Sequence, residues 1–198
     1  MVMTINTFFE FVKNTNFLYE LRNGVPVRMD SPEIQHQKSL GELHDIFKKC
    51  LSGTKCHVLD SPCDIIFTNN ETRVSDLIIV RNESKIQGKK CIGAPDFIAE
   101  VLSPSTVQKD YENKELYLSC DVKEYWILDT VAKSVQVYLT NGDYCYYEYP
   151  QHLVIYPSLF PNIPVELKFL FDKYTRTEYV IYSIKLLALN IGGELNEV

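Results

Sequence analysis

The chain has 198 residues, enough for one domain with a sizeable core, and 45% of them are hydrophobic. Its net charge of −6 speaks against a basic, non-specific nucleic-acid coat protein, although a local basic patch can still steer a nucleic acid. No apolar run is long enough to span a bilayer, the N-terminus lacks the features of a secretory signal, and the six cysteines contain no CxxC, so reduced thiols in a cytoplasmic protein are expected.

Residues 4 to 13 read as a short helix. FLYELRNGVPVRM, 17 to 29, reads as a hairpin turning at Asn23-Gly24. Ser31-Pro32 supplies an N-cap and a first-turn proline for a helix over 32 to 51, whose inward stripe is His36, Leu40, Leu43, Phe47 and Cys50. A strand over 56 to 67 is interrupted near Ser61-Pro62. RVSDLIIV, 73 to 80, is a second strand, apolar on both faces and so central in a sheet. A polar loop, 81 to 93, leads to a third strand over 95 to 102. Ser103-Pro104-Ser105 ends that strand and caps a helix over about 105 to 120, before a strand over 124 to 129. A hairpin over 134 to 149 turns at Asn141-Gly142, the stretch 156 to 171 reads as loop plus edge strand, and 178 to 191 fits helix or strand. The order helix, three strands, helix, strand, with hairpins at both ends, predicts a single α/β (α+β) domain over 1–198, a mixed sheet flanked by helices.

The chemistry concentrates in 95 to 129. Alternation places Asp96, Ile98, Glu100 and Leu102 on one face of their strand, so Glu100 is a charge among apolar neighbours. Such a charge costs several kcal/mol unless paired. Asp76 shares a face with Val74, Ile78 and Val80, and if the two strands are neighbours both carboxylates converge. On the helix, Val107, Tyr111, Lys114 and Leu118 form a stripe that places Lys114 toward the core, with Asp110 one turn earlier. Two carboxylates and a lysine suit metal-dependent phosphodiester hydrolysis. Mg²⁺ or Mn²⁺ takes oxygen ligands, polarises phosphate and lowers the pKa of an attacking water, and a lysine offsets charge on the phosphoryl oxygens. Structural readings stand beside the catalytic ones: Asp76 as a turn cap, a buried Glu100–Lys114 ion pair, Lys114 snorkelling along the sheet edge. Asp96 fits strand entry, Asp110 an ion pair with Lys114 or Lys109, His36 a core histidine, and Asp129 a strand end. Arg73, Arg81, Lys85, Lys89, Lys90 and Lys109 are the modest basic content near the site.

APDFIAEVLSPST, then Asp110, Lys114 and Tyr117, then VKEYWILD, resembles the Uma-two family of restriction endonucleases. Ser31-Pro32 with His36-Gln37, RVSDLIIV, GDYCYYEY and YPSLFPNIPVEL extend the resemblance over roughly 17 to 172. That family is similar to the PD-(D/E)XK nucleases, whose core has the same element order. The resemblance implies a DNA endonuclease with Asp76 and Glu100 as acidic metal ligands. His36 falls near a first-helix position that contributes to some such sites, and Asp96 and Asp110 are further candidates for accessory groups. The superfamily's lysine would fall at Leu102; here the resemblance points to Lys114 on the following helix. Cutting both strands needs two active sites, so a homodimer is the expected assembly. Two other readings remain: a catalytically inactive module on this fold that binds nucleic acid or a protein, and a hydrolase of another phosphate ester. The latter lacks a glycine-rich phosphate loop.

Overall fold

The computed structural model of the protein describes residues 2–29, 31–102 and 107–172, save the side chains of 107–110. The expected cap at Ser103-Pro104-Ser105 and the ambiguous 178 to 191 segment lie outside the described residues. Helix α1, Ile5–Val12, precedes the hairpin of β1, Tyr19–Arg22, and β2, Val25–Arg28. Asn23 and Gly24 both take positive φ, 49° and 74°, as a two-residue hairpin turn demands. A Cβ on Gly24 would also stand 3.0 Å from the Met3 carbonyl oxygen, a tight approach to backbone.

Helix α2 runs Ile34–Cys50 and starts two residues later than Pro32 suggests, with Glu33 in the N-cap position. Its buried side chains are His36, Ser39, Leu43, Ile46 and Phe47; Cys50, expected inward, is exposed.

The strand over 56 to 67 is interrupted at Ser61-Pro62 as expected, and the strand over 73 to 80 is also broken in two. The first becomes β3, His57–Asp60, and β4, Asp64–Thr68; the second becomes β5, Glu71–Val74, and β6, Leu77–Val80. Both breaks are places where the chain leaves one sheet for another, a common way to form the corner of two packed sheets. The 81 to 93 segment, read as loop, carries a 3-10 turn, Glu83–Lys85, and a short hairpin of β7, Ile86–Gln87, and β8, Lys90–Ile92. Then come β9, Phe97–Val101, helix α3, Val107–Ser119, β10, Glu124–Asp129, β11, Ser134–Leu139, and β12, Tyr144–Glu148. The last described elements are β13, Val154–Ile155, β14, Val165–Glu166, and helix α4, Leu167–Phe171, where loop plus an edge strand was expected over 156 to 171.

One sheet has the order β2-β1-β5-β4-β8-β7 and the other β12-β11-β10-β9-β6-β3; β13 and β14 pair separately. The second sheet is mixed. Its parallel pair, β9 and β10, is joined by α3, the crossover that parallel strands need. In chain order it contains the expected core: α2, then β3, β6 and β9, then α3, then β10. Leu43 and Phe47 of α2 pack on one face against Leu77, Phe97 and Trp126. Ile78, Ile98, Tyr125 and Ile127 face the other way, under Tyr117 of α3 and Ile65 of the first sheet. Among the described residues no helix is long and apolar enough to cross a membrane.

Candidate active site

Asp76 sits at the corner where the chain passes from β5 to β6. Strands β6 and β9 are antiparallel, with Ile78 opposite Ile98 and Leu77 opposite Ala99. One further step brings Asp76 beside Glu100, where the ladder has stopped and backbone donors are left over. The carboxylates take them. The Asp76 N–H donates to Glu100 Oε2 at 3.0 Å, and the Val101 N–H donates to Asp76 Oδ2 at 2.8 Å. From α2, His36 Nε2 lies 2.9 Å from the same Asp76 oxygen, a contact in which that ring nitrogen carries the proton. Asp76, Glu100 and His36 are thus brought together by three separate elements.

Glu100 is 6% exposed, so its charge depends on donors rather than water. One donor is Tyr117 of α3, whose hydroxyl donates to Glu100 Oε1 at 2.9 Å and lies 3.0 Å from Ser75 Oγ. Burial, then the charges of Glu100 and Glu20, push the Tyr117 phenol well above its ordinary value, so it remains a donor.

Behind this corner lies a polar layer that sequence reasoning missed. Glu20 of β1 accepts from the Val74 N–H at 3.1 Å and from Arg22 Nε at 2.8 Å. Arg73, counted from sequence among the basic groups near the site, is buried and used internally. Its Nε donates to Asn113 Oδ1 at 2.9 Å, and its Nη1 donates to Glu71 Oε2 at 2.7 Å and to the Leu21 carbonyl at 3.0 Å. Glu71 in turn accepts from the Asn23 N–H at 2.7 Å. The sequence signal was charged residues at alternating positions of strands otherwise rich in apolar residues.

Lys114 is placed differently from the expected stripe. Among the described side chains of α3 the buried ones are Asn113 and Tyr117, while Lys114 is half-buried and Tyr111 exposed. The Lys114 ammonium stands 5.2 Å from the ring centroid of Tyr138 on β11. Among the described residues it forms no ion pair with Glu100. The inward face is decided by what the polar corner needs, an amide for Arg73 and a hydroxyl for Glu100, which an apolar period cannot register. Asp96 lies at the opposite end of β9 from Glu100, where its Oδ2 accepts from the Arg81 N–H at 2.8 Å. Asp129 closes the turn after β10 by accepting from the Val131 and Ala132 N–H groups at 2.9 and 2.8 Å. The Asp110 side chain lies outside the described residues. Leu102, at the superfamily's lysine position, is a core residue packed near Tyr117 and Ile127.

Asp76 and Glu100 offer oxygen donors, and among the described residues no group of three or more His, Cys, Asp or Glu is placed to hold a metal ion. That donor set fits Mg²⁺ or Mn²⁺ held by one or two carboxylates plus water and phosphate, and does not fit a closed zinc cage.

Comparison with known proteins agrees with this architecture. A solved structure described as a "putative nuclease belonging to DUF820", from Anabaena variabilis, is similar with a TM-score of 0.73 and 20% identity, over 85% of this chain and 97% of that one. None of the curated proteins matches. The model of the Uma2 family, described as "Putative restriction endonuclease", matches residues 5–168. A match over that much of the sequence, on a fold with the nuclease element order, means that the chain belongs to the Uma2 family.

Proposed function

We propose that this protein is a Mg²⁺-dependent endonuclease that hydrolyses DNA phosphodiester bonds, with Asp76 and Glu100 as its metal-holding carboxylates. The observation that supports it most directly is their meeting at the β6–β9 corner, each fixed by a backbone donor of the other strand. When bound there, the ion supplies charge for the phosphate and lowers the pKa of a water. His36 holds the Asp76 carboxylate in place, and Tyr117 does the same for Glu100. Lys114 is assigned to the substrate side. From its position over Tyr138, its flexible stem brings a point charge to the phosphoryl oxygens. A homodimer supplies the second site that double-strand cutting needs.

The test is nicking and linearisation of supercoiled plasmid by wild type, Asp76→Asn and Glu100→Gln, in Mg²⁺ or Mn²⁺ and in EDTA. Wild type is expected to cut only with metal, and each variant to lose about a hundredfold or more in rate. Undiminished cutting by Glu100→Gln, or cutting in EDTA, rules the assignment out.

A second reading is favoured by one observation. Both carboxylates already serve as acceptors for backbone donors, which is sufficient structural reason for them. On that reading the chain is a non-catalytic module that binds nucleic acid or a protein. Melting separates the two. A resident ion raises the wild-type Tm increasingly as its concentration exceeds its Kd, and the variants lose that rise. A non-catalytic module without an ion site shows no metal-dependent shift.

A further inference from the structure

The register of the second sheet ties the candidate site to an exposed group of tyrosines. Glu100 lies opposite Ile127, Ile127 opposite Gln136, and Gln136 opposite Tyr146. In the neighbouring row, Ile98 lies opposite Tyr125, Tyr125 opposite Tyr138, and Tyr138 opposite Tyr144. Opposed residues point to the same side of a sheet, so Glu100, Gln136, Tyr138, Tyr144 and Tyr146 all belong to the face that α3 covers. With strands about 4.8 Å apart, Tyr146 stands roughly 14 Å along the row from Glu100.

Helix α3 covers only the first part of these rows. Gln136 Nε2 donates to the Tyr111 hydroxyl at 2.5 Å, and Lys114 stands over Tyr138. Beyond them the face is open. Tyr144 is 52% exposed, Tyr146 44% and Tyr111 37%, on and beside β12, the edge of the sheet. So much aromatic surface at one place is a common mark of an interaction site. The geometry suits flat partners: the rings of Tyr125 and Tyr138 are 26° from parallel at 6.2 Å, and those of Tyr138 and Tyr144 are 36° from parallel at 5.0 Å. The charge also suits a phosphate chain, since the ammonium of Lys114 lies on this face. Burial, then neighbouring tyrosines and Cys145, raise the phenols of Tyr138 and Tyr144, and the same face also carries Glu148, opposite Ser134 in the next row.

Resting on the nuclease reading, we propose that Tyr111, Tyr144 and Tyr146 form a stacking platform for unpaired bases of a nucleic-acid strand that continues from the candidate site. Every base has a π-face, so such a platform binds with little sequence preference. Each base lost from it weakens binding roughly five- to a hundredfold. The site would therefore favour substrates with a single-stranded segment beside the cut, such as flaps, gaps or opened duplex.

The experiment is anisotropy of fluorescein-labelled oligothymidylate in EDTA, with wild type, Tyr144→Ala/Tyr146→Ala and Tyr144→Phe/Tyr146→Phe. The alanine pair is expected to bind about tenfold or more weakly, and the phenylalanine pair within about threefold of wild type. Equal binding by the alanine pair overturns the proposal, as does no binding by wild type. So does an equal loss in both pairs, which would assign the effect to the hydroxyls. Sedimentation is run alongside: a wild-type dimer that the alanine pair breaks, with oligonucleotide affinity unchanged, makes the patch a contact between two copies and also overturns it. Plasmid cleavage in Mg²⁺ keeps the two readings apart. Tyrosine-dependent binding without cleavage retains the platform and rejects the nuclease; cleavage with no dependence on the tyrosines does the reverse.

Discussion

Among the donors to Glu100 are the Asp76 N–H and the buried Tyr117 hydroxyl, the latter with Ser75 Oγ 3.0 Å away as another acceptor. Alanine at 100 leaves the Asp76 N–H unmet and the Tyr117 hydroxyl with Ser75 alone, and a buried donor left unmet costs about 1–3 kcal/mol. Relief of repulsion between Glu100 and Asp76 is the opposing effect. It is the smaller one, because Asp76 is partly exposed and already faces His36. Glu100→Ala is therefore expected to lower stability by about 1–3 kcal/mol even in EDTA, so a loss of stability alone does not separate an ion site from a structural role. Glutamine keeps an acceptor for one donor and removes the charge. Glu100→Gln is expected to cost about 1–2 kcal/mol in EDTA, read as the shift of the urea midpoint at unchanged slope. A Glu100→Ala protein as stable as wild type would show that these hydrogen bonds contribute nothing net.

At the scale of elements, β10 shows how a carboxylate can organise chain that has almost no regular structure. Glu124 is fully buried at the start of the strand. It accepts from Trp126 Nε1 at 2.8 Å, the Ser158 N–H at 3.0 Å and the Leu159 N–H at 2.8 Å. Burial pushes its carboxyl up, and the three donors pull it back only in part. Glu124→Ala leaves all three donors unmet, and a loss of about 3–5 kcal/mol is expected, with faster amide exchange at Ser158 and Leu159. Loss of stability without that local exchange would place the damage in the core instead.

The same scale shows what could be read in advance. Helix α2, strands β9 and β10 and the two hairpins carry local signals, a 3.6 or 2 period and Asn-Gly turns, and the sequence shows them directly. The break at Ser61-Pro62 is announced by its proline, whereas the one at Ser75-Asp76 leaves the local pattern intact, so 73 to 80 reads as one strand. The convergence of Asp76 and Glu100 was legible because it depends on strand neighbours and alternation. The face of α3 was not. Val107, Tyr111 and Leu118 suggest one inward stripe, but Arg73 and Glu100, distant in sequence, recruit Asn113 and Tyr117 to the inner side.

For the molecule as a whole, the 13 tyrosines set the response to alkali. Burial raises the phenols of Tyr117, Tyr138, Tyr144 and Tyr147, with Tyr138 pushed up to about 12. Folded phenols thus hold protons that unfolded ones release near the ordinary value of 10.0. A raised folded pKa contributes stability that is fully present below pH 10 and is lost as the pH climbs through the folded values. The urea midpoint is therefore expected to hold steady up to about pH 9.5 and then to fall through pH 11–12. Lysine pairs titrate in the same range, so the wild-type curve alone does not identify the groups. Tyr117→Phe does, because it removes the most buried of these four phenols and leaves every lysine in place. Its midpoint starts lower at neutral pH, since Glu100 Oε1 has lost a donor, but falls less steeply in alkali, and the two curves draw together above pH 10. Parallel curves would mean that the Tyr117 hydroxyl titrates in the folded state as freely as in the unfolded one. That outcome would contradict both its burial and its bond to Glu100.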